Sequence, residues 1–252
     1  LSHMLEQMGG LLTPLTAGAS ITYPTSRQPM VLFRTMKERK VTMMILVPQL
    51  LDLFMKGIER EVARQGKDRL WKRMLTVAKY SPYPIRRLLF RNIHQKFGGK
   101  LSLIFAGGAP LDPELGKKWN LIGIRVIQGY GATEAAPVIA CHPQQKPRFD
   151  SPGPALPGVQ IKIAEDGEVL IRGDNVTAGY LDAPEATSAA FVDGWYKTGD
   201  QGEIDQNGFL HLKGRKKDMI VLGSGLNVYP EDIETILQKH ELVNDAAVIG
   251  MP

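Results

Sequence analysis

The chain has 252 residues, of which 43% are hydrophobic and 23% are charged, and its formal net charge is +5. This composition is typical of a globular protein, and the length predicts two or three compact units. The longest apolar run is interrupted by Pro48, so the sequence predicts no membrane-spanning helix. One cysteine, Cys141, excludes a disulfide within the chain and favours a reducing compartment, which predicts a cytoplasmic protein.

Residues 1–145 alternate between helical and strand-like patterns. Leu50, Phe54, Ile58 and Val62 recur every four positions, which predicts an amphipathic helix. The short apolar runs KVTMMILVP and KLSLIFAGG end in proline or glycine, as buried parallel strands often do. The alternation therefore predicts an α/β layer, which is a mostly parallel sheet with helices.

Proline and glycine crowd together in HPQQKPRFDSPGPALPG, residues 142–158, which predicts a domain boundary or a long linker. Beyond it, the dipeptides DG at 166–167 and NG at 207–208 each separate two strand-like runs, as in a β-hairpin. These hairpins predict a small antiparallel, β-barrel-like subdomain. In NVYPEDIETILQKH the pattern returns to helix, and Pro230 suits its first turn.

Polar residues bounded by glycine follow two of the apolar runs. In AGGAP, Gly107 and Gly108 would let a planar ring lie against the backbone, although an ordinary strand-to-helix turn also explains them. In GYGATE, Tyr130 can stack on an aromatic base, Thr133 can donate to a phosphate oxygen, and Glu134 can bind Mg²⁺. The alternative is a packed tyrosine followed by an N-capping threonine and a first-turn glutamate.

A third polar cluster lies in the second half of the chain, in DGWYKTGDQGEID and KGRKKDMIVLGSGLNVYP. The neighbouring glycines predict that Asp200 sits in a tight turn, where its carboxylate could hold the two hydroxyls of a ribose. Arg215 adds a planar set of donors. The alternative is a hairpin aspartate beside a solvated basic face.

The motifs GGAP, GYGATE, YKTGD and GRKKDMI…G…NVYPEDIE occur in this order, and together they make the chain resemble the adenylate-forming superfamily. Within it, the chain is most similar to the fatty acyl-CoA synthetases, the AMP-forming fatty acid–CoA ligases. The resemblance covers essentially the whole chain and implies three parts. Residues 1–145 would belong to a large adenylation domain, 146–214 to a β-rich subdomain, and 215–252 to a hinge and the beginning of a truncated α+β C-terminal domain.

The resemblance implies a two-step reaction that uses ATP, Mg²⁺, a fatty acid and CoA. The carboxylate attacks the α-phosphate of ATP to give acyl-AMP and pyrophosphate, and the CoA sulfur then displaces AMP. In this family the residue matching Tyr130 stacks on adenine, with Gly131 beside it. The segment matching Gly107, Gly108 and Ala109 borders the other face of the base.

The remaining roles are also implied by the resemblance. Thr133 contacts the phosphate and Glu134 binds Mg²⁺, so these two are the implied catalytic residues. Asp200 and Arg215 hold the ribose hydroxyls.

Three further positions match less central parts of the family's site. Lys217 matches the hinge about which the C-terminal domain turns, and Gly225 matches a glycine of the CoA channel. His3 matches a histidine near the acyl pocket, for which simple packing among apolar neighbours is the alternative. The family's phosphate-binding loop and catalytic lysine match no segment here, so the sequence is expected to be an inactive fragment of a longer enzyme.

The stretch RLWKRMLTVAKYSPYPIRRLLFRNIHQKFGGKLSLIFAGGAP resembles the helical insertion of medium- and long-chain members, which implies such a substrate. Arg86, Arg87, Arg91 and Lys96 are predicted to make one side of it basic. That side would either touch an anionic membrane or be a solvated face.

Three other functions remain open from the sequence. They are an adenylation domain of a peptide synthetase or an aryl-acid ligase, a non-catalytic adenylate-binding module, and a basic membrane- or nucleic-acid-binding protein. Aromatic residues do not alternate with the basic ones, so nucleic acid is not expected as a partner. The sequence indicates neither the acyl chain length nor the oligomeric state.

Overall fold

The computed structural model describes residues 3–26, 28–143, 148–222, 226–238, 240, 242–243 and 245–250. The chain divides into two compact units, Leu1–Pro152 and Gly153–Pro252. The division into three parts at residues 145 and 214 stays a prediction.

The first unit is the predicted α/β layer. Its strands are β1 (Met43–Leu46), β2 (Leu103–Ala106), β3 (Arg125–Gly131) and β4 (Val138–Cys141). Its helices are α1 (Met4–Gln7), α2 (Thr13–Thr16), α3 (Pro29–Arg39), α4 (Pro48–Arg64), α5 (Asp68–Lys79), α6 (Tyr83–Leu89), α7 (Arg91–Lys96) and α8 (Pro113–Leu121). A π-helical segment, Met8–Leu12, joins α1 to α2, and a 3₁₀ turn, Thr133–Ala135, lies between β3 and β4.

The sheet of the first unit has the order β1-β2-β3-β4. The first three strands are parallel, and β4 runs antiparallel to β3. The two apolar runs that predicted buried strands are β1 and β2, so the prediction of a mostly parallel sheet is confirmed. Because three strands point the same way, the segments that follow β2 and β3 leave the sheet at one edge.

The helix predicted around residues 50–62 is α4. It begins at Pro48, where a missing N–H costs nothing, and its buried side includes Leu51, Phe54 and Ile58. A chain of aromatic rings continues from this face through the core, with neighbouring ring centroids 5.0 to 6.2 Å apart. The rings belong to Phe33, Phe54, Phe97 and Trp119. This core holds the helices against the sheet. It therefore also fixes the edge at which the segments after β2 and β3 leave the sheet.

The second unit is built from antiparallel strands. They are β5 (Val159–Ile163), β6 (Glu168–Gly173), β7 (Phe191–Val192), β8 (Trp195–Ile204), β9 (Leu210–Arg215), β10 (Ile220–Val221) and β11 (Asn227–Val228). Its helices are α9 (Pro184–Ala190) and α10 (Pro230–Leu237), and a 3₁₀ turn spans Lys216–Asp218. The larger sheet has the order β5-β6-β8-β7, with β9 also paired to β8, while β10 and β11 form a separate pair.

Both hairpins predicted from DG and NG are confirmed, as β5–β6 and β8–β9. The antiparallel subdomain and the return to helix at Pro230 are likewise as predicted. None of the helices in the described ranges has both the length and the apolar character needed to cross a bilayer.

Candidate functional site

The two glycine-bounded segments of the first unit lie side by side at one edge of its sheet. Ala106, the last residue of β2, is the register partner of Gln128 in β3. A Cβ placed on Gly107 would lie 3.7 Å from the carbonyl oxygen of Gly129. The loop 107–109 and the end of β3 are therefore neighbours at this edge of the sheet.

Glycine at position 131 is required by a close approach of backbone. A Cβ on Gly131 would lie 1.7 Å from the carbonyl oxygen of Pro137, which is shorter than any real contact. The pairing of β3 with β4 shifts register between Tyr130 and Gly131, and the N–H of Ala132 donates to the same Pro137 carbonyl at 2.9 Å. This bulge turns the chain out of the sheet directly before the polar residues.

The polar residues of GYGATE stand on the 3₁₀ turn Thr133–Ala135. Thr133 is exposed and Glu134 is half-buried. The N-cap of the turn is Ala132 and makes no side-chain cap hydrogen bond, so the alternative of an N-capping threonine is wrong. Tyr130 is only 9% exposed, so a base could approach only a small part of its ring.

The donor set limits how Mg²⁺ could be held here. Among the described residues, no group of three or more histidine, cysteine, aspartate or glutamate side chains is arranged to hold a metal ion. Mg²⁺ commonly takes one or two protein carboxylates and completes its shell with water and substrate phosphates. Glu134 fits that arrangement, provided that the nucleotide supplies the other oxygens.

His142 is a residue of this edge that the sequence analysis missed. It is buried, and its Nε2 accepts a hydrogen bond of 3.0 Å from the backbone N–H of Gln128, two residues before Tyr130. Its Nδ1 has no hydrogen-bond partner in the part of the chain that the structure describes. Burial lowers the pKa of His142 below the usual 6.5, which keeps the ring neutral and able to accept. No motif marks this histidine, which follows β4 in a proline-rich stretch.

In the second unit, Asp200 does not lie in a tight turn, so that prediction is wrong. It lies inside the long strand β8, and the turn of the hairpin comes later, after residue 204. On β6, Glu168 and Leu170 are two residues apart, yet their partners on β8, Gln201 and Lys197, are four apart. The two extra residues form a bulge in which Gly199 takes a φ of +72°, a conformation that favours glycine.

Asp200 and Arg215 face each other across neighbouring strands. They are register partners, and Arg215 Nε lies 3.1 Å from Asp200 Oδ1. Arg215 Nη1 also donates to the carbonyl of Thr198 at 3.2 Å, and the Asp200 N–H donates to Thr198 Oγ1 at 3.1 Å. The two residues implied for the ribose are thus held together by a network centred on the bulge.

A second pair of charged residues supports the bulge and was also missed. Glu168 is buried, and its Oε1 accepts from the N–H of Gly199 at 3.0 Å. Lys216 Nζ donates to Glu168 Oε2 at 2.8 Å and to Asp166 Oδ2 at 2.6 Å. The ammonium of Lys216 lowers the pKa of Asp166, and the two carboxylates raise the pKa of Lys216. The side chain of Lys216, which follows Arg215 in the sequence, is therefore fixed to the β5–β6 hairpin.

The remaining predicted site residues have simpler surroundings. Lys217 is exposed in the middle of the 3₁₀ turn Lys216–Asp218, directly after β9, which ends at Arg215. Gly225 lies outside the described residues. His3 is exposed and caps α1, with its Nδ1 accepting from the N–H of Leu5 at 3.2 Å, so it is not packed among apolar neighbours.

The predicted basic side of the helical insertion is wrong for two of its four members. Arg87 donates to the carbonyls of Leu101, Gly123 and Gly99 at 2.8, 3.1 and 3.1 Å. Arg86 donates to the carbonyls of Ser81 at 2.8 Å and Asn120 at 3.3 Å. Because half-buried carbonyls need donors, these guanidinium groups serve the fold of the first unit rather than its surface. Arg91 and Lys96 remain exposed.

Comparison with known proteins gives relatives over most of the chain. Long-chain-fatty-acid–CoA ligase FadD15 of Mycobacterium bovis is 34% identical over 229 residues, which are 84% of this chain and 38% of that protein. The 2-succinylbenzoate–CoA ligase of Listeria monocytogenes is 40% identical over 151 residues, which are 59% of this chain and 32% of that protein. The chain thus spans well under half the length of these curated relatives.

A solved structure shares the fold across nearly the whole chain. It is the O-succinylbenzoate coenzyme A synthetase MenE from Bacillus subtilis in complex with AMP, with a TM-score of 0.75 and 25% identity. The match covers 98% of this chain and 46% of that one. The family model described as AMP-binding enzyme matches residues 1–181, which is well over half of the sequence. The chain therefore belongs to the AMP-binding enzyme family.

Proposed function

We propose that the protein containing this chain is an AMP-forming ligase that activates a medium- or long-chain fatty acid as acyl-AMP and transfers the acyl group to CoA. The similarity to the long-chain-fatty-acid–CoA ligase extends over 84% of the chain and includes the helical stretch before β2. The single half-buried thiol, Cys141, agrees with a cytoplasmic location, which is part of this proposal.

The observation that carries the proposal is the pair formed by Asp200 and Arg215 at the bulge of β8. A carboxylate can accept hydrogen bonds at both oxygens, and the diol of a ribose offers two donors. Arg215 holds Asp200 Oδ1 at 3.1 Å, and Thr198 holds the Asp200 N–H, so the carboxylate is oriented before ligand arrives. Preorganised groups of this kind give affinity because little ordering is required on binding.

The loop after β3 would hold the other parts of the nucleotide. The exposed hydroxyl of Thr133 can donate to the α-phosphate, and the exposed part of the Tyr130 ring can contact adenine. Glu134 would hold Mg²⁺ together with the phosphates, and the ion would offset negative charge on them. The bulge at Gly131 sets the direction in which the chain leaves β3. The positions of Thr133 and Glu134 therefore depend mainly on backbone geometry.

The reaction then proceeds by positioning and charge stabilisation. An oxygen of the fatty acid carboxylate forms a bond to the α-phosphorus while the bond to pyrophosphate breaks. In the second step the CoA sulfur, as thiolate, forms a bond to the acyl carbon and AMP leaves with the electron pair. The ribose pair holds AMP through both steps, so the acyl phosphate stays at the same place.

Lys217 is proposed as the hinge between the two steps. Its predecessor, Lys216, is fixed by Glu168 and Asp166, while Lys217 is exposed. A rotation would therefore begin at the first position that the charged network does not hold. CoA would enter along the segment that contains Gly225, and the acyl group would lie near His3.

The test is a pyrophosphate-release screen of the intact gene product with ATP, Mg²⁺ and a series of carboxylic acids. Medium- and long-chain fatty acids are expected to release pyrophosphate, with acyl-CoA appearing once CoA is added. A second candidate is an aryl-acid ligase, favoured by the 40% identity to the 2-succinylbenzoate–CoA ligase over 59% of the chain. Turnover of aryl acids alone would replace the fatty acid proposal with this one. AMP binding without turnover of any acid would indicate a non-catalytic adenylate-binding module.

A further inference from the structure

The positive charge of the chain is concentrated in one helical segment. Residues 66–101 contain ten lysines and arginines and one acidic residue, Asp68, so this segment has a net charge of +9. The whole chain has a net charge of +5, so the remaining residues sum to −4. The segment comprises α5, α6 and α7 and is described throughout.

Part of this charge is used inside the first unit. Arg86 and Arg87 donate to backbone carbonyls, and Lys96 lies close enough to Glu61 to lower the pKa of that carboxyl, after the larger effects of Arg64 and Gln65. These three cations are therefore not counted as part of a free basic surface. The cations of α5 have no such role: in the described part of the chain, no carboxylate pairs with Arg69, Lys72, Arg73 or Lys79.

Helix α5 has one buried side and one exposed side that carries both cations and aliphatic residues. Trp71 and Ala78 are buried. On the exposed side, Leu70 is 52% and Val77 is 53% exposed, and the helical period of 3.6 residues places Arg73 between them. An exposed Leu or Val by itself is ordinary, but two of them beside a row of cations form an amphipathic face directed to solvent.

The exposed apolar residues continue into α6, which packs against α5. Tyr80, which ends α5, is 81% exposed, and Ile85 and Leu88 of α6 are 46% and 69% exposed. We define the basic-apolar face as the exposed cations and apolar side chains of α5 and α6. Its members are Arg69, Leu70, Lys72, Arg73, Val77, Lys79, Tyr80, Ile85 and Leu88.

We propose that the basic-apolar face binds the surface of an anionic lipid bilayer. Lysine and arginine are attracted to anionic headgroups, and neighbouring aliphatic side chains gain by insertion at the boundary with the acyl chains. RNA would use the cations but would gain nothing from Leu70, Val77, Ile85 and Leu88, because single-stranded bases are bound mainly by aromatic stacking. The face is built from helices with a packed core, so it needs no ordering on binding.

The first experiment measures sedimentation of the full chain with vesicles, without nucleotide, so that its outcome is independent of the proposed ligase activity. Binding is expected to vesicles of phosphatidylcholine mixed with phosphatidylglycerol, to weaken at high salt, and to be absent with phosphatidylcholine alone. The triple variant Arg69→Gln, Lys72→Gln, Arg73→Gln should bind mixed vesicles about a hundredfold more weakly. The matched control neutralises three exposed cations elsewhere, Lys37→Gln, Arg39→Gln and Lys162→Gln, and should bind like the parent.

The second experiment separates insertion from simple charge attraction. The variant Leu70→Ser, Val77→Ser keeps every cation, and its affinity for mixed vesicles should fall about tenfold or more. Circular dichroism should show that all three multiple variants retain the parent's helix content, since all changed residues are exposed. Equal weakening by the control triple variant would overturn the proposal, because the effect would then reflect total charge. Tight RNA binding without vesicle binding would overturn it too, as would a dimer that dissociates on Leu70→Ser, Val77→Ser.

Discussion

The two units hold their predicted site residues by different physical means. In the first unit, called the α/β unit below, backbone contacts hold the loop after β3. Gly131 approaches the Pro137 carbonyl, and the Ala132 N–H donates to that same oxygen. In the second unit, called the β unit below, side chains hold the bulge of β8: Arg215 forms an ion pair with Asp200, and Lys216 forms one with Glu168.

The two kinds of support predict that the two units are sensitive to different kinds of mutation. A backbone approach leaves no room for added volume, because packed backbone cannot rotate away as a side chain can. A charged network tolerates changes of volume better, but removing one member leaves its partners without a counter-charge. The loop after β3 should therefore be sensitive to shape, and the bulge of β8 should be sensitive to charge.

The largest effect is expected from Gly131→Ala. The added Cβ would overlap the Pro137 carbonyl, so the loop must move, at a cost of about 3 kcal/mol or more in the free energy of unfolding. AMP affinity should be lost as well, since Thr133 and Glu134 follow directly. Urea denaturation and calorimetry with AMP measure the two effects. Gly129→Ala is the matched control, because its Cβ would have ordinary contacts of 3.6 Å or more; equal damage in both variants would contradict the argument.

The next largest effect concerns ligand binding by the β unit. Asp200→Ala removes a charge-assisted acceptor and should weaken AMP binding by the intact protein by about 1.5–3 kcal/mol. Asp174→Ala, an exposed aspartate of the same unit, should leave the affinity unchanged. Isothermal titration calorimetry checks both. Unchanged affinity in Asp200→Ala would remove the ribose role from this residue.

A smaller effect should follow from loss of Glu168, which supports the bulge without being implied in ligand contact. Glu168→Ala leaves the Gly199 N–H and one side of Lys216 without a partner, which should cost about 1–2 kcal/mol in unfolding free energy. Glu168→Ala should also weaken AMP binding, because the bulge that carries Asp200 loses its bond to Gly199. Glu168→Gln keeps an acceptor for Gly199 and should restore most of that affinity.

Glu203→Ala is the control for this comparison, since Glu203 lies on the neighbouring strand β8 and pairs with Lys213 in solvent. Exposed ion pairs contribute little to stability because water screens them, so the control should differ little from the parent. A glutamine variant as weak in AMP binding as the alanine variant would show that the bond to Gly199 does not position Asp200.

The smallest expected effect is a difference between the two units in how their stability depends on pH. Burial lowers the pKa values of His94 and His142 in the α/β unit below 6.5, so the unfolded chain takes up protons first as the pH falls. The stability due to these neutral rings is present above pH 6.5 and is lost as the pH falls below it. Asp166 of the β unit, whose pKa is lowered from 3.8 by Lys216, contributes stability that is lost only at lower pH.

Hydrogen exchange read by mass spectrometry can follow each unit separately. Between about pH 7 and pH 5, after correction for intrinsic exchange rates, the α/β unit should lose more protection than the β unit. The variant His94→Gln, His142→Gln should reduce that difference. Equal loss in both units of the parent chain would contradict the assignment to the buried histidines.

The main elements and the order of the motifs could be predicted from local patterns in the sequence. Apolar runs predicted β1 and β2, the four-residue period predicted α4, and the DG and NG dipeptides predicted the hairpins of the β unit. These are local effects: side-chain period and turn geometry depend on neighbours in the chain, so they can be recognised without the fold. The family resemblance rested on motifs of the same local kind.

How these motifs are held depends on contacts between residues that are distant in the sequence. Asp200 lies at a bulge rather than in a turn because strands β6 and β9 pair with β8 on either side of it. Glu168 and His142 support the site although no motif marks them, because their partners are distant in sequence. Arg87, predicted to be on a basic surface, instead satisfies three carbonyls of two loops. Long-range pairing of strands and buried polar groups set these contacts, and a local sequence pattern contains no information about them.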